Sequence, residues 1–542
     1  MKKTIAQVML GALVAAAGMA GGAASLAGCA VSESDVHRWE GTEQGPRKLY
    51  AVATHGKYAW PLRIEAALSL IKMKPRGGKV WAIPYLVDGY VDDEGTGREG
   101  AIVALNPEDR KKMLESLVPE LLNQIKQPLP AKNPDGTQPP DPSVPFKDVA
   151  FALLSHDPPL VTDEGMRGQL ATAITEWATS NLESRLDYTL QQYGIEQMFR
   201  YLGASTVKGL PALLKEESSK TDRIAGLIAD LGDAETKQKA SVQLVSIAKQ
   251  IDSQAWINKQ MPLVEEANKR AGAKVTKEQV TEQIKKYQEQ ELIKVFTAMK
   301  KVGGRPIIDY ALAFSANKDN SEERRKAALA SLEGRVDKNN TADIEKLFDI
   351  AKDDNTPDPV RDLAFQRLGE LPKEVVVPKM YALFDNQKKW KVRWVAASLV
   401  LRTMTTKGVP EFMARLPKTP GTKMGMTEPI SYGGLIAKME APGGEPKPRE
   451  AIASYLRSND LGAKLTAIGF FYGGKKGDLA TVQSLEGDGQ QVPKCEKDDE
   501  CGWSCDVAKS PGSQERESKE IHTVGEFVKF CIVPSMEGGG GS

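Results

Sequence analysis

Histidine, aromatic residues, unbalanced charge and long apolar runs are all scarce in this chain, and each scarcity excludes something. Only four histidines occur, His37, His55, His156 and His522, and none stands in an H-E-x-x-H or other paired-histidine metal spacing. There is no Walker loop, no G-x-G-x-x-G and no G-x-S-x-G elbow, so the common phosphate-cradling and nucleophile motifs are missing. Lys+Arg number 73 against Asp+Glu 72, a formal net charge of +1. That leaves no surplus of positive charge to neutralise phosphates and argues against nucleic acid as a partner. Aromatics make up 6% of the residues. The apolar content is carried by Ala, Leu, Val and Ile, which favours packed helices over an aromatic-rich sandwich. Beyond residue 28 no apolar run approaches the roughly 20 residues needed to cross a bilayer. Cysteine is unevenly placed: one of the five stands at position 29, and Cys495, Cys501, Cys505 and Cys531 crowd the far end.

What is present begins with a charged Lys2-Lys3 pair and the uncharged stretch "IAQVMLGALVAAAGMAGGAASLAG", the layout of a secretory signal rather than of folded structure. It ends in Leu26, Ala27, Gly28 and Cys29, a leucine and two small residues before a cysteine. These four residues resemble the lipobox of bacterial lipoproteins. The resemblance implies that signal peptidase II recognises Leu26, Ala27 and Gly28, that residues 1–28 are removed, and that Cys29 becomes the lipid-bearing first residue. It also implies attachment to the membrane through that lipid. Ala30, in the place where aspartate retains many Gram-negative lipoproteins in the inner membrane, points to the outer membrane, facing the periplasm or exposed at the surface. Residues 29–45, polar and without a helical period, read as a flexible tether.

The body of the chain carries one recurring pattern: a basic residue, Ala three positions on, and a large apolar residue four after that. It occurs at Arg63, Ala66, Leu70; Lys237, Ala240, Leu244; Arg325, Ala328, Leu332; Arg361, Ala364, Leu368; Arg393, Ala396, Val400; and Lys464, Ala467, Phe471. Arg325 to Arg361 is 36 residues, Arg361 to Arg393 is 32, and Arg393 to Lys464 is 71, close to two units. A period in the middle thirties fits a helix–turn–helix solenoid. Positions three and four apart share a helix face, so the Ala lets a neighbouring helix approach and the larger residue fills the groove beside it. "DPVRDLA" from Asp358 and "KVRWVAA" from Lys391 resemble the second helix of HEAT repeats. The expected fold is therefore all-α, an α-solenoid of HEAT-like helix pairs, with a small disulfide-linked α+β or β module at the C-terminus.

Composition divides the mature chain further. Residues 46–126 read as an N-terminal helical unit. Residues 127–147 read as a Pro-rich linker, since 127 to 146 hold seven prolines, too many for a helix or a central strand. Residues 148–317 form a helical repeat region that includes one long charged helix over 276–301, with Val280, Ile284, Tyr287, Leu292, Val295 and Phe296 on its apolar face. Residues 318–485 form the HEAT-like region, interrupted by Gly/Pro-rich loops over 418–450. Residues 490–535 form a Cys-rich module whose "HTVGEFVKFCIV" reads as a strand, and 536–542 a flexible tail.

With Cys29 lipidated, Cys495, Cys501, Cys505 and Cys531 are left as an even set in an oxidising compartment, so two disulfides are expected, in any of three connectivities. A zinc site is disfavoured because C-x5-C-x3-C lacks C-x2-C knuckles. The acidic "CEKDDEC" lacks EF-hand periodicity and reads as solvated charge. "HDPP" at His156 reads as a turn, "GGRP" at Gly303 as a helix break, and Trp390 and Trp394 as core. No catalytic residue, metal or cofactor is expected. The function these observations favour is a lipid-anchored scaffold of the cell envelope that binds unidentified protein partners. A ligand-binding or sensory lipoprotein is the alternative, and an envelope enzyme or enzyme subunit a third.

Overall fold

Helix after helix begins where the sequence supplies a cap. Asp233, Ser253, Thr276, Ser321 and Asn340 each accept a hydrogen bond from a first-turn amide, and Pro46, Pro61, Pro306 and Pro359 sit in first turns where no N–H is required. The structure, a computed structural model, describes residues 31–74, 81–187, 191–353, 355–386, 390–419, 424–494, 502–508 and 515–537. Signal peptide, lipobox and Cys29 lie outside the described residues, as do Cys495 and Cys501. The fold is all-α with two small antiparallel hairpins among the described residues. It divides between Tyr201 and Leu202 into two compact units.

In the first unit, α1 (Glu33–Trp39), α2 (Gly45–Thr54) and α3 (Trp60–Lys72) pack together. A hairpin of β1 (Tyr90–Val91) and β2 (Gly97–Arg98) follows, then α4 (Pro107–Ile125), α5 (Val144–Ser155) and α6 (Glu164–Ser180). Two expectations fail here. The supposed tether is folded from Ser32 onward: a capping box between Ser32 and Asp35 starts α1, and Val36 is wholly buried. The Pro-rich stretch separates no domains, because α4 before it packs on both α5 and α6 after it. Asp141 and Ser143 at its end are buried.

The second unit opens with α7 (Thr221–Leu231), α8 (Ala234–Ile251) and α9 (Gln254–Arg270), all packed on the long charged helix α10 (Lys277–Val302). Val280, Ile284, Leu292, Val295 and Phe296 of α10 are buried and Tyr287 is half-buried. The helix stops at Gly303 and Gly304, whose φ of 68° and 106° suit glycine. Helix pairs then follow: α11 (Arg305–Ala316) with α12 (Glu322–Ala330), α13 (Thr341–Lys352) with α14 (Asp358–Gly369), and α15 (Lys373–Asn386) with α16 (Trp390–Thr403). Successive pairs stack, α11 on α13, α12 on α14 and α14 on α16.

The last pair corrects the loop expected over 418–450. Thr427–Ile436 is a helix, α17, and it packs on α16 and on α18 (Leu461–Gly469). Its glycines are contact points. A Cβ on Gly433 would stand 2.2 Å from the Phe470 nitrogen, and one on Gly469 would stand 2.3 Å from the Pro429 oxygen, so glycine on both helices lets their backbones touch.

The C-terminal module is α+β. A hairpin of β3 (Ser504–Ala508) and β4 (Arg516–Glu520) is joined by the Cys505–Cys531 disulfide, Cα–Cα 5.7 Å, to the last segment. That segment, expected as a strand, is helical. Val524–Phe527 continues through a π-helical turn into Val533–Glu537, started by a Thr523–Glu526 capping box. Met536, expected in the flexible tail, is buried in it, and residues 538–542 lie outside the described residues.

Candidate functional site

The residues of the recurring pattern all face inward. Ala66, Leu70, Ala240, Leu244, Ala328, Leu332, Ala364, Leu368, Ala396, Val400 and Ala467 are wholly buried, and Phe471 is 2% exposed. The basic residue ahead of them is buried as well in every unit but that of Lys237, which is half-buried. The last carbonyls of a helix have no intrahelical donor and carry partial negative charge. Arg63 Nε donates to Ala53 O at 3.0 Å, in the last turn of α2, while its guanidinium lies 4.0 Å from the Trp60 ring centroid. Arg325 Nε donates to Ser315 O at 2.7 Å, in the last turn of α11. Arg361 Nη2 donates to Asp353 O at 3.1 Å, just past α13, and to Thr356 O at 2.8 Å. In these three pairs the second helix thus closes the end of the first with a charge-assisted bond.

Arg361 also bonds the Asp358 carboxylate of its own helix, and in the last two units the same position bonds carboxylates of later segments. Arg393 bonds both oxygens of Glu428, with Nε–Oε2 at 3.1 Å, and the Tyr432 hydroxyl donates to Oε2 at 3.0 Å. Glu428 and Tyr432 are wholly buried, and burial pushes the pKa of the Tyr432 hydroxyl well up. Lys464 Nζ donates to Asp488 Oδ2 at 2.8 Å. Periodicity marks this basic position in the sequence and is silent on its work, because a buried cation at a helix end has the same spacing as a solvated one.

A dense polar cluster lies in the first unit, and sequence reasoning missed it. Lys147 on α5 is wholly buried; its Nζ donates to Gln191 Oε1 at 3.1 Å and Tyr193 O at 2.8 Å, and lies 2.6 Å from Asp148 Oδ1. Arg185 donates to Asp141 Oδ2 from Nε at 3.1 Å and Nη2 at 2.9 Å, and also to Trp177 O. Both cations lie over the Trp177 ring, Lys147 at 4.9 Å and Arg185 at 4.3 Å from its centroid, and Trp177 Nε1 donates to Ser143 Oγ at 2.7 Å. Asp148 also accepts from the amides of Gln192 at 2.8 Å and Tyr193 at 3.2 Å. Burial pushes the Lys147 pKa down, opposed by Asp148, and pushes the Tyr193 hydroxyl up to about 12. A buried lysine of depressed pKa has the makings of a nucleophile. Here, however, three acceptors match its three N–H donors, so no lone pair is offered for attack. The cluster clamps α5 and α6 to Arg185 and to residues 191–193.

The remaining candidates stand apart from one another. His156 Nδ1 lies 2.8 Å from Pro158 O within its turn, His37 lies among Glu33, Glu40 and Glu65 on a surface, and His522 is exposed. Trp394 is half-buried and donates to Ser431 Oγ at 2.7 Å, while the Trp390 side chain lies outside the described residues. Among the described residues no group of three or more His, Cys, Asp and Glu side chains is placed to hold a metal ion, and no helix is long and apolar enough to cross a membrane. An open cleft of about 450 Å³, where α9 turns into α10, is lined by Glu265, Asn268, Lys269, Val275, Lys277 and Val280 among others. The chain matches no protein-family model and no curated protein sequence.

Proposed function

We propose that this chain is a lipid-anchored scaffold of the cell envelope, held to the outer membrane through Cys29, whose HEAT-like helix pairs offer their outer faces to protein partners. The observation that carries the scaffold reading is where the chemistry-bearing groups lie. The buried arginines, lysines and carboxylates of the pairs bond to helix ends and to one another, and Lys147 has no free lone pair, so what faces solvent is helix surface. Stacked pairs bind by extended area rather than through one polar constellation. The anchor rests on the Leu26-Ala27-Gly28-Cys29 sequence, and acyl chains contributing about 0.8 kcal/mol per buried CH₂ suffice for stable attachment when several are present.

Two measurements test the two halves of this reading. Cys29→Ala should move the protein from the membrane to the soluble fraction, and retention would refute the anchor. Photoreactive residues at exposed positions on the two helices of one pair, Lys346 on α13 and Gln366 on α14, should give discrete protein adducts in intact envelopes from the face that is used. The absence of adducts there and at the equivalent exposed positions of the other pairs would refute the scaffold.

A further inference from the structure

The folding of residues 32–45 bears on where the first unit sits, given the lipid anchor proposed above, on which this step rests. Ser32 is fixed as the N-cap of α1: its amide and hydroxyl donate to Asp35 Oδ2 at 3.0 and 2.7 Å, and its carbonyl accepts from the Val36 amide at 3.2 Å. α1 is in turn fixed to its unit. Val36 is wholly buried, Ser69 Oγ of α3 donates to Glu40 Oε1 at 2.7 Å, and Lys48 lies 5.3 Å from the Trp39 ring centroid. The turn into α2 has no slack either, since a Cβ on Gly45 would stand 2.1 Å from Trp39 O.

Only three residue steps separate Cys29 from Ser32, and covalent geometry limits them to about 11 Å however the chain runs. We infer that the face of the first unit around the start of α1, with Ser32, Glu33 and Ser34, lies directly against the lipid headgroups. The occupant of this face is the bilayer to which Cys29 is attached. Chain length assigns it, not charge, because the first turn of α1 carries Glu33 and Asp35 and offers anionic lipids no attraction. A tethered protein would sample all orientations tens of ångströms from the membrane, whereas here the start of α1 is held at the surface.

The test uses the full-length lipidated protein in phosphatidylcholine vesicles doped with a headgroup-nitroxide lipid. A fluorophore is placed through Glu33→Cys, a position whose side chain is 73% exposed and outside the core. A second version carries about twenty Gly/Ser residues inserted between Ala30 and Val31, which adds a root-mean-square reach of about 25 Å. The Glu33→Cys probe should be strongly quenched without the insertion, and the insertion should lower quenching at least roughly threefold, given that added reach. Equal quenching with and without the insertion, or none in protein that floats with the vesicles, overturns the apposition and leaves the anchor standing. Flotation of Cys29→Ala as complete as that of the parent overturns the anchor itself, and the apposition with it.

Discussion

Replacing Arg325 by methionine removes the donor that closes the C-terminal end of α11 while keeping an unbranched stem of similar length. Arg325 is 4% exposed and Ser315, whose carbonyl it serves at 2.7 Å, is wholly buried, so water has poor access to take its place. A hydrogen bond from a charged group contributes about 1.5–3 kcal/mol. A cation at a partly buried helix C-terminus contributes up to about 2 kcal/mol, and the two figures describe the same charge, so they overlap instead of adding. The methionine stem keeps most of the apolar contact, and the expected loss is about 2 kcal/mol. At about 1.4 kcal/mol per decade, that makes local opening of α11 roughly thirtyfold more frequent. Hydrogen exchange of peptides covering 305–316 reads this directly. Arg325→Lys keeps the charge and loses the planar fork, and should exchange at an intermediate rate. If the methionine variant exchanges like the parent, the arginine does not hold the helix end and the account of the repeated basic residue fails.

Leu368, wholly buried on α14, should cost about 2–5 kcal/mol when changed to alanine; an unchanged thermal transition would remove that helix from the core. Asp353 accepts from Lys318 at 2.7 Å and from the Asn355 amide at 3.0 Å, and these bonds hold its pKa below the ordinary aspartate value. Its contribution to stability is therefore present above the ordinary aspartate value and disappears as pH falls through the lower, folded one. Asp353→Asn should weaken the acid dependence of the urea midpoint, and an acid limb as steep as the parent's would count against the pairing. The Cys505–Cys531 bond closes a separation of 26 residues, for which chain entropy predicts about 3.5 kcal/mol, so the Cys505→Ala, Cys531→Ala variant should melt earlier. With Cys29 lipidated as proposed, that pairing also leaves Cys495 only Cys501 as an oxidised partner within the chain; non-reducing peptide mapping that finds crossed pairs refutes the arrangement.

The inward face of the repeats and the long helix α10 were legible because each follows from the period of a helix, which sequence displays directly. Other elements had a signal that composition overrode. Ser32 and Asp35 stand in the spacing of a capping box, yet α1 has one core residue, Val36, too few to show a period. "HTVGEFVKFCIV" is rich in Val, Phe and Ile, residues that favour strands only where a sheet is there to receive them; the Thr523–Glu526 spacing was the better guide, and it starts a helix. Gly433 was legible as a glycine and not as a contact, because the partner that requires it, Phe470, is far along the chain. The cluster of Lys147, Trp177 and Arg185 had no local signature at all, since its members come from separate segments and only the fold brings them together.

The recurring basic residue connects these observations. In the units of Arg63, Arg325 and Arg361 it turns back to the carbonyls that end the preceding helix, so each pair closes on itself. With Arg393 it turns forward to Glu428 on α17, and with Lys464 to Asp488. Both carboxylates lie beside the points where the C-terminal module docks. Trp503 Nε1 donates to Met424 O at 2.7 Å and the Met426 amide to Gly502 O at 3.0 Å, just ahead of Glu428, while the Gly525 amide donates to Asp488 O at 2.8 Å. Glu428 and Asp488 thus tie this position to the segments where the stack gives way to the module. One sequence position closes helix pairs along the stack and, at its far end, braces the segments that hold the disulfide-linked module in place.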